Sequence, residues 1–107
     1  MFTIHYFSET VRLEMAGLSL DMRARYAAYT GRMKQFGADL GMPHSRAMGG
    51  GLFELRLKDA SGIARVFYCV AQGRRIVMLH SFIKKTQVTP KRELDIARRR
   101  KKEMDHA

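Results

Sequence analysis

The fold of this chain is decided by the stretch Arg75-Ile-Val-Met-Leu-His-Ser-Phe-Ile-Lys-Lys85. Its first part, Ile76–Leu79, is a continuous apolar run of the kind found in a strand inside a sheet. From His80 onward the stretch becomes cationic. Two further candidate strands precede it, Leu52–Asp59 and Ala64–Gln72, and each carries an arginine among apolar residues. The sequence therefore predicts three consecutive strands joined by tight turns.

Alternation with a period of two sorts the side chains of these strands into two faces. In the last strand, we predict that Val77, Leu79, Ser81 and Ile83 share the apolar face. Matching the apolar faces to the helices collects the basic residues on the opposite face: Arg56, Lys58, Arg65, His80 and Lys84. A bulge of one residue would invert part of this assignment.

An arginine on an apolar strand loses hydration, so it commonly meets an anion. We therefore predict that this sheet presents a cationic face to RNA. Glu54 lies on the same face. We expect its carboxylate to pair with an arginine, and a role as general base is the alternative.

The net charge of +10 is the strongest compositional signal in the 107 residues. Residues 1–50 hold six Lys/Arg and four Asp/Glu, whereas residues 51–107 hold fourteen and six. Such a field favours polyanions, meaning nucleic acid, the ribosome or an acidic protein, and a merely basic surface is the alternative. The length predicts a single domain over residues 1–107.

The single cysteine, Cys69, excludes an internal disulfide and falls in an apolar strand. We expect a buried, unreactive thiol and a reducing, cytoplasmic setting. The start of the chain resembles no signal peptide, and no apolar run is long enough to cross a membrane. No histidine or carboxylate cluster has the spacing of metal ligands, so no metal and no cofactor are expected.

Before the sheet, the sequence predicts a short strand over Phe2–Phe7 and two helices capped by Ser8 and Ser19. The second helix carries an apolar stripe at helical spacing: Met22, Tyr26, Tyr29, Met33, Phe36 and Leu40. Gly41 is its expected stop. The two tyrosines could form a stacking platform for bases, but their place on the stripe favours burial in the core.

Residues 42–51 are predicted to form a loop that ends in three glycines. It is not a phosphate-binding loop, because a strand follows it rather than a helix. We expect His44 and Arg46 in this loop to be solvated, and ligand contact is the alternative. Thr89 and Pro90 open the last helix. Its basic block, residues 98–102, is either a solvated surface or a contact for phosphate or a partner.

Four blocks of sequence in order carry a family resemblance: Gly51-Leu-Phe-Glu-Leu-Arg56, Arg65-Val-Phe-Tyr68, Val77-Met-Leu-His-Ser-Phe82 and Lys84-Lys-Thr-Gln-Val-Thr-Pro90. Followed by a helix, they resemble the phage-derived, HigB-like branch of the RelE/ParE toxin superfamily. The resemblance covers nearly the whole chain. It implies an α+β, RelE-like fold, in which an N-terminal helical hairpin packs on a small, twisted, mainly antiparallel sheet and a C-terminal helix follows.

The resemblance also implies the toxin half of a type II toxin–antitoxin system. Toxins of this kind cut messenger RNA, typically in the ribosomal A site, and a cognate helix-turn-helix antitoxin neutralises them. Arg56 and Arg65 resemble the sheet arginines near the scissile phosphate, and Lys84 resembles a distal basic residue. The ParE branch shares the fold but inhibits gyrase, and a non-catalytic nucleic-acid-binding module is a further alternative.

Metal-independent RNA cleavage requires a base for the 2′-OH, a cation for the phosphorane and an acid for the departing oxygen. His80 is the candidate acid or base, and a packed strand histidine is the alternative. The predicted catalytic residues are Arg56, Arg65, His80 and Lys84. The predicted RNA-binding residues are Lys58, Lys85, Arg98 and Arg99.

Overall fold

The computed structural model describes residues 1–84 and 88–106 and has an α+β architecture. Its elements are β1 Thr3–Tyr6, α1 Glu9–Ala16, α2 Leu20–Phe36, β2 Ser45–Gly49, β3 Leu52–Asp59, β4 Gly62–Ala71, β5 Arg75–Lys84 and α3 Lys91–Asp105. The expected helical hairpin, sheet and C-terminal helix are confirmed, in an order consistent with a RelE-like fold. None of the helices in these residues is both long enough and apolar enough to cross a membrane.

The strands in the described residues form a five-stranded mixed sheet in the order β1-β5-β4-β3-β2. β1 pairs with β5 in parallel, and the other neighbouring pairs are antiparallel. β5 therefore lies inside the sheet, with β1 on one side and β4 on the other. This explains its long apolar run, because the side chains of Ile76–Leu79 are all buried.

The first two helices begin where the sequence predicts them. Ser8 accepts a hydrogen bond from the backbone N–H of Val11 at 3.3 Å. Ser19 accepts one from the N–H of Met22 at 3.1 Å. Each serine satisfies a helix donor that has no intrahelical partner, which favours helix initiation at that position. Val11 and Met22 are themselves buried, so both caps also orient the apolar face of a helix towards the sheet.

The second helix ends earlier than predicted. α2 stops at Phe36, whose side chain is 78% exposed, so the expected continuation of the apolar stripe to Leu40 is wrong. The chain turns at Gly37, where φ is 101°, a left-handed conformation that favours glycine. Just beyond the turn, the Tyr68 hydroxyl donates a 2.6 Å hydrogen bond to the Ala38 carbonyl. Burial raises the pKa of Tyr68 to about 12.

Helices cover both faces of the sheet. α1 and α2 pack on one face, against a buried cluster that includes Leu55, Val66 and Met78. α3 packs on the other face, where its buried Ala97 belongs to a second cluster with Phe67 and Leu79. The prediction that Tyr26 and Tyr29 are buried holds only in part, because both side chains pack against the first cluster but stay partly exposed. Desolvation, followed by a hydrogen bond with Tyr6, raises the pKa of Tyr26.

A bulge in β5 changes one predicted face. Phe67 pairs with His80, but its neighbour Tyr68 pairs with Met78, so Leu79 is the extra residue. As a result Val77 and Leu79 pack in the cluster with α3, on the same side as His80. The prediction that these two side chains share a face with Ser81 and Ile83 is therefore wrong. The positions of His80 and Lys84 relative to Arg65 follow the prediction.

The stretch predicted to be a loop contains an edge strand. β2 pairs antiparallel with β3, with Ser45 opposite Leu55 and Arg46 opposite Glu54. Its sequence, Ser-Arg-Ala-Met-Gly, has little β-propensity and no alternation of apolar and polar residues. The strand is therefore stabilised by its hydrogen bonds to β3 rather than by its local sequence.

Candidate functional site

The basic residues predicted for one sheet face are brought together on the face that α3 partly covers. Residues that lie side by side on β3, β4 and β5 form three rows across this face. At the open end of the sheet the row is Lys58, Ile63 and Lys84; the middle row is Arg56, Arg65 and Phe82. The row nearest α3 is Glu54, Phe67 and His80. Neighbouring strands lie about 4.8 Å apart, so Lys58 and Lys84 are roughly 10 Å apart across the sheet. This arrangement is called the cationic face below.

Glu54 is the centre of the charge cluster on this face. Its buried carboxylate accepts a 2.9 Å hydrogen bond from Arg65 Nη1 and a 3.4 Å bond from Arg56 Nε. Arg46 Nη2 lies 3.9 Å from the same oxygen, and the Thr89 hydroxyl donates to the other oxygen at 2.7 Å. Arg56 and Arg65 are direct cross-strand partners, a placement that repels without an intervening anion. The carboxylate therefore holds like charges together. The expected pairing of Glu54 with an arginine is confirmed.

Arg65 is not presented to solvent. Its side chain is 0% exposed, as is that of Glu54, so the expectation of an open guanidinium on a cationic surface is wrong for this residue. The physical reason is that a guanidinium on a buried strand is stabilised by a buried carboxylate more readily than by an occasional ligand. Thr89, just before α3, lies against the same pair. Arg65 is therefore suited to position its neighbours.

His80 is joined to α3 by a side-chain contact. Its Nε2 lies 2.7 Å from Glu93 Oε2, and the two side chains are 12% and 18% exposed. Nδ1 has no hydrogen-bond partner among residues 1–84 and 88–106. The ring also stacks near Phe82, with centroids 6.2 Å apart. The carboxylate favours the tautomer with the proton on Nε2, which leaves the acceptor lone pair on Nδ1, an atom that is buried in this structure.

The accessible cations surround this buried core. The side chain of Arg56 is 19% exposed, that of Arg46 is 42% exposed, Lys58 is exposed and Lys84 is half-buried. These side chains can reach a polyanion without breaking the Glu54–Arg65 pair. Lys85, predicted to bind RNA, lies outside the described residues.

The basic block of α3 does not act as one surface. Arg98 donates hydrogen bonds to the backbone carbonyls of Met48 and Gly49, at 2.9 and 3.3 Å, which fastens α3 to the end of β2. Arg100 donates to the Leu79 carbonyl at 2.7 Å. Arg99 is exposed. Arg98 is thus exposed, as the solvated alternative expects, and it also makes a structural contact with the end of β2.

Three residues of the site were not predicted from the sequence: Arg46 and Thr89, which lie beside Glu54, and Glu93, which lies beside His80. Arg46 was assigned to a solvated loop, but the register of β2 sets it opposite Glu54. Thr89 was expected only to cap α3, and its hydroxyl instead donates to Glu54. The sequence gives little indication that Glu93 contacts His80, because an acidic residue in the first turn of a helix is ordinarily explained by the helix dipole.

Two clefts differ in their relation to the cationic face. The larger, about 400 Å³, lies between β1 and the end of α3 and is lined in part by His5, Arg75 and Glu103. A second cleft, about 300 Å³, lies at the open edge of β3 and includes Arg56 and Lys58. Only the second shares residues with the cationic face.

Two further features of the site concern thiol and metal chemistry. Cys69 is buried as expected, and desolvation raises the pKa of its thiol. In the part of the chain that the structure describes, no group of three or more His, Cys, Asp or Glu side chains is arranged to hold a metal ion.

Comparison with known proteins identifies one family. The family model described as Phage derived protein Gp49-like (DUF891) matches residues 14–102. That span begins in α1 and ends near the C-terminal end of α3, so it includes the whole cationic face. This family is typically linked to RelE-like toxins. No curated protein matches the sequence.

Proposed function

Because the chain belongs to the Gp49-like family of phage-derived proteins, we propose that it is the toxin of a type II toxin–antitoxin system. We assign it to the HigB-like branch and infer that it cuts messenger RNA on the ribosome. The observation that carries this proposal is the set of accessible cations around a buried Glu54–Arg65 pair, with the His80–Glu93 pair on the same sheet face.

The reaction is attack of a 2′-OH on the adjacent phosphate. A bond forms between the 2′-oxygen and phosphorus, the bond from phosphorus to the 5′-oxygen breaks, and a cyclic phosphate and a 5′-OH remain. The proton of the 2′-OH passes to a base, and the departing 5′-oxygen receives a proton from an acid. Negative charge grows on the phosphorane, so cations that are already in place lower the barrier.

The residues of the cationic face suit different parts of this reaction. Arg56 and Lys84 are the phosphate contacts, because both are at least partly exposed: Arg56 bonds Glu54 of the buried pair, and Lys84 lies opposite Ile63 at the open end of the face. Arg65 is a positioning residue: through Glu54 it fixes the guanidinium of Arg56. His80 is the acid or base, with its tautomer set by Glu93.

Backbone contacts extend the interface beyond the reacting phosphate. Lys58, Lys85 and Arg99 are proposed to contact flanking phosphates, and the ribosome adds further polyanionic surface. Arg98 serves this interface indirectly, because its guanidinium fastens α3 to β2. The partner that silences the toxin is proposed to be a helix-turn-helix antitoxin encoded beside it.

Primer extension on transcripts from induced cells, paired with a DNA-supercoiling assay, tests the proposal. We expect new 5′ ends within translated messages and unchanged supercoiling. Intact messages with altered supercoiling would instead identify a ParE-like gyrase inhibitor, which needs neither a general base nor a phosphate clamp. Lys84→Ala should abolish the new ends. Lys34→Ala is the matched control, since Lys34 is an exposed lysine on α2 outside the cationic face.

A further inference from the structure

The cleft beside the cationic face arises from a mismatch in strand length. β2 pairs with β3 only as far as Leu55, opposite Ser45. The Arg56 N–H still donates to the His44 carbonyl at 2.9 Å, and the rest of that edge runs past the start of β2. α2 passes on the other side of the gap and contributes Arg25 and Tyr29. The result is a cleft of about 300 Å³, at the lower end of the range for small-molecule sites.

The lining of the cleft combines cations with flat apolar surface. Arg25, Arg56 and Lys58 are the cationic side chains of the lining, while Tyr29, Pro43 and Ile63 contribute apolar surface. His44 completes the set, and no carboxylate lines the cleft within the described part of the chain. The larger cleft near β1 differs, because Glu103 on its wall would repel a phosphate. Charge therefore favours an anion in the smaller cleft.

An aromatic pair forms one wall of this cleft. The rings of Tyr29 and His44 lie 4.8 Å apart at an interplanar angle of 44°. Tyr29 is partly buried against the core, so its ring is already ordered before any ligand arrives. A nucleobase gains about 1–3 kcal/mol by stacking on such a ring, whatever its identity. Cations beside an ordered aromatic surface are what a nucleotide of single-stranded RNA requires.

We infer that the cleft lined by Arg25, Tyr29 and His44 holds the nucleotide next to the scissile phosphate of a single-stranded RNA. Its base stacks on Tyr29, and its phosphate contacts Arg25 and Lys58. Arg56 lies at the boundary, because the same side chain lines the cleft and bonds Glu54 on the cationic face. The inference rests on the proposed function, and it adds a binding site that involves α2 and the edge of β3.

The test is titration of isotopically labelled protein with a short RNA whose 2′-oxygens are methylated, so that it cannot be cut. We expect the ring signals of Tyr29 and His44 to shift on binding. Arg25→Gln should lower the affinity for this RNA about fivefold to tenfold. It should also reduce the slope of log affinity against log salt concentration by about one, as expected for one lost phosphate contact. Arg32→Gln is the matched control, since it removes the same charge two helical turns away and outside the cleft.

A second pair of variants tests stacking. Tyr29→Leu should weaken binding at least about fivefold, whereas Tyr29→Phe, which keeps the ring, should bind like the wild type. Equal affinity for Arg25→Gln and Arg32→Gln, together with unmoved Tyr29 signals, would overturn the inference even if transcripts are cut. Binding of inorganic phosphate as tight as that of RNA would also overturn it, because no base would then be involved.

Cleavage and binding are measured separately, so the two proposals can fail independently. If induced transcripts remain intact while the methylated RNA still shifts Tyr29 and depends on Arg25, the nucleotide site stands and the ribonuclease proposal falls. If transcripts are cut and the RNA binds without affecting either residue, the ribonuclease proposal stands and this site falls.

Discussion

Glu54 and Arg65 meet at 2.9 Å on adjacent strands, and neither side chain is exposed to solvent. A charge pair removed from water is costly to break, because the remaining partner is left buried without compensation. The Thr89 hydroxyl and the Arg56 guanidinium satisfy further positions on the carboxylate. The pair is thus both a structural element of the sheet and the support for the accessible cations.

Glu54→Gln should lower the free energy of unfolding by about 3–5 kcal/mol, since the charge opposite Arg65 is lost while the shape is kept. Urea denaturation measures the change. Glu103→Gln, an exposed carboxylate on α3, is the control and should stay within about 0.5 kcal/mol of the wild type. By the same reasoning, Arg65→Ala should also lower the free energy of unfolding, so reduced toxicity of that variant would reflect destabilisation as well as a displaced Arg56. A Glu54→Gln protein as stable as the wild type would contradict this account of the pair.

Lys84→Ala should relieve growth arrest while changing the free energy of unfolding by less than about 0.5 kcal/mol. The reason is that Lys84 lies at the open end of the cationic face and has no ion-pair partner among the described residues. Growth after induction and urea denaturation of the same variant are the two measurements. Full toxicity of Lys84→Ala would remove this residue from the proposed site.

His80→Ala should slow single-turnover cleavage of ribosome-bound message by about 10²- to 10⁴-fold, the usual contribution of a general acid or base. Glu93→Gln keeps a hydrogen-bond partner for the ring but removes its negative charge, so it should slow cleavage less than His80→Ala does. His80→Ala removes the ring and its contact with α3 together, whereas Glu93→Gln changes only the charge beside the ring. An unchanged rate for His80→Ala excludes the histidine from the reaction.

Arg98→Ala and Arg99→Ala should differ although they remove the same charge from neighbouring positions. Arg98 bonds the Met48 and Gly49 carbonyls, so its loss should cost about 1 kcal/mol of stability. Arg99 is exposed, and its loss should leave stability unchanged while lowering the salt dependence of RNA binding by about one counterion. Denaturation and RNA titration at several salt concentrations compare them. Identical behaviour of the two variants would contradict the assigned contacts.

Asp59→Asn should destabilise the protein at neutral pH but not in strong acid. A hydrogen bond from the Ser19 hydroxyl, followed by one from Ser61, lowers the pKa of Asp59 from 3.8 to about 2. A depressed pKa contributes stability above the unfolded value, and that contribution is lost as the pH falls through the folded value. The difference between wild type and variant should therefore be constant above about pH 4 and vanish near pH 2. Urea denaturation across this range measures it, and a pH-independent difference would argue against the Ser19 contact.

The sequence predicts most of this fold because its helices and long strands carry strong local signals. Ser8 and Ser19 cap helices where expected, and the β3 and β4 alternation sets Arg56 and Arg65 on one face. What escaped prediction depends on contacts across the chain. β2 is ordered by pairing with β3, and the bulge at Leu79 inverts half of one strand.

Burial of the site was equally hard to predict. Alternation assigns a side chain to a face, but it does not say whether another element covers that face. α3 and Thr89 approach the cationic face from far along the chain, and they enclose Arg65 while leaving Arg56 accessible. Tyr29 belongs to the apolar stripe of α2 by periodicity and Arg25 does not, so only the tertiary structure reveals their common cleft with His44.

The parallel pairing of Thr3–Tyr6 with Arg75–Met78 bears on how this protein is made. A nascent chain holds its first strand long before the strand that completes it leaves the ribosome. Contacts so distant in sequence form late, because a long loop must close first. The pairing of β1 with β5 therefore forms later than the local hairpins that join β3, β4 and β5, so the sheet reaches its full width only in a late step of folding.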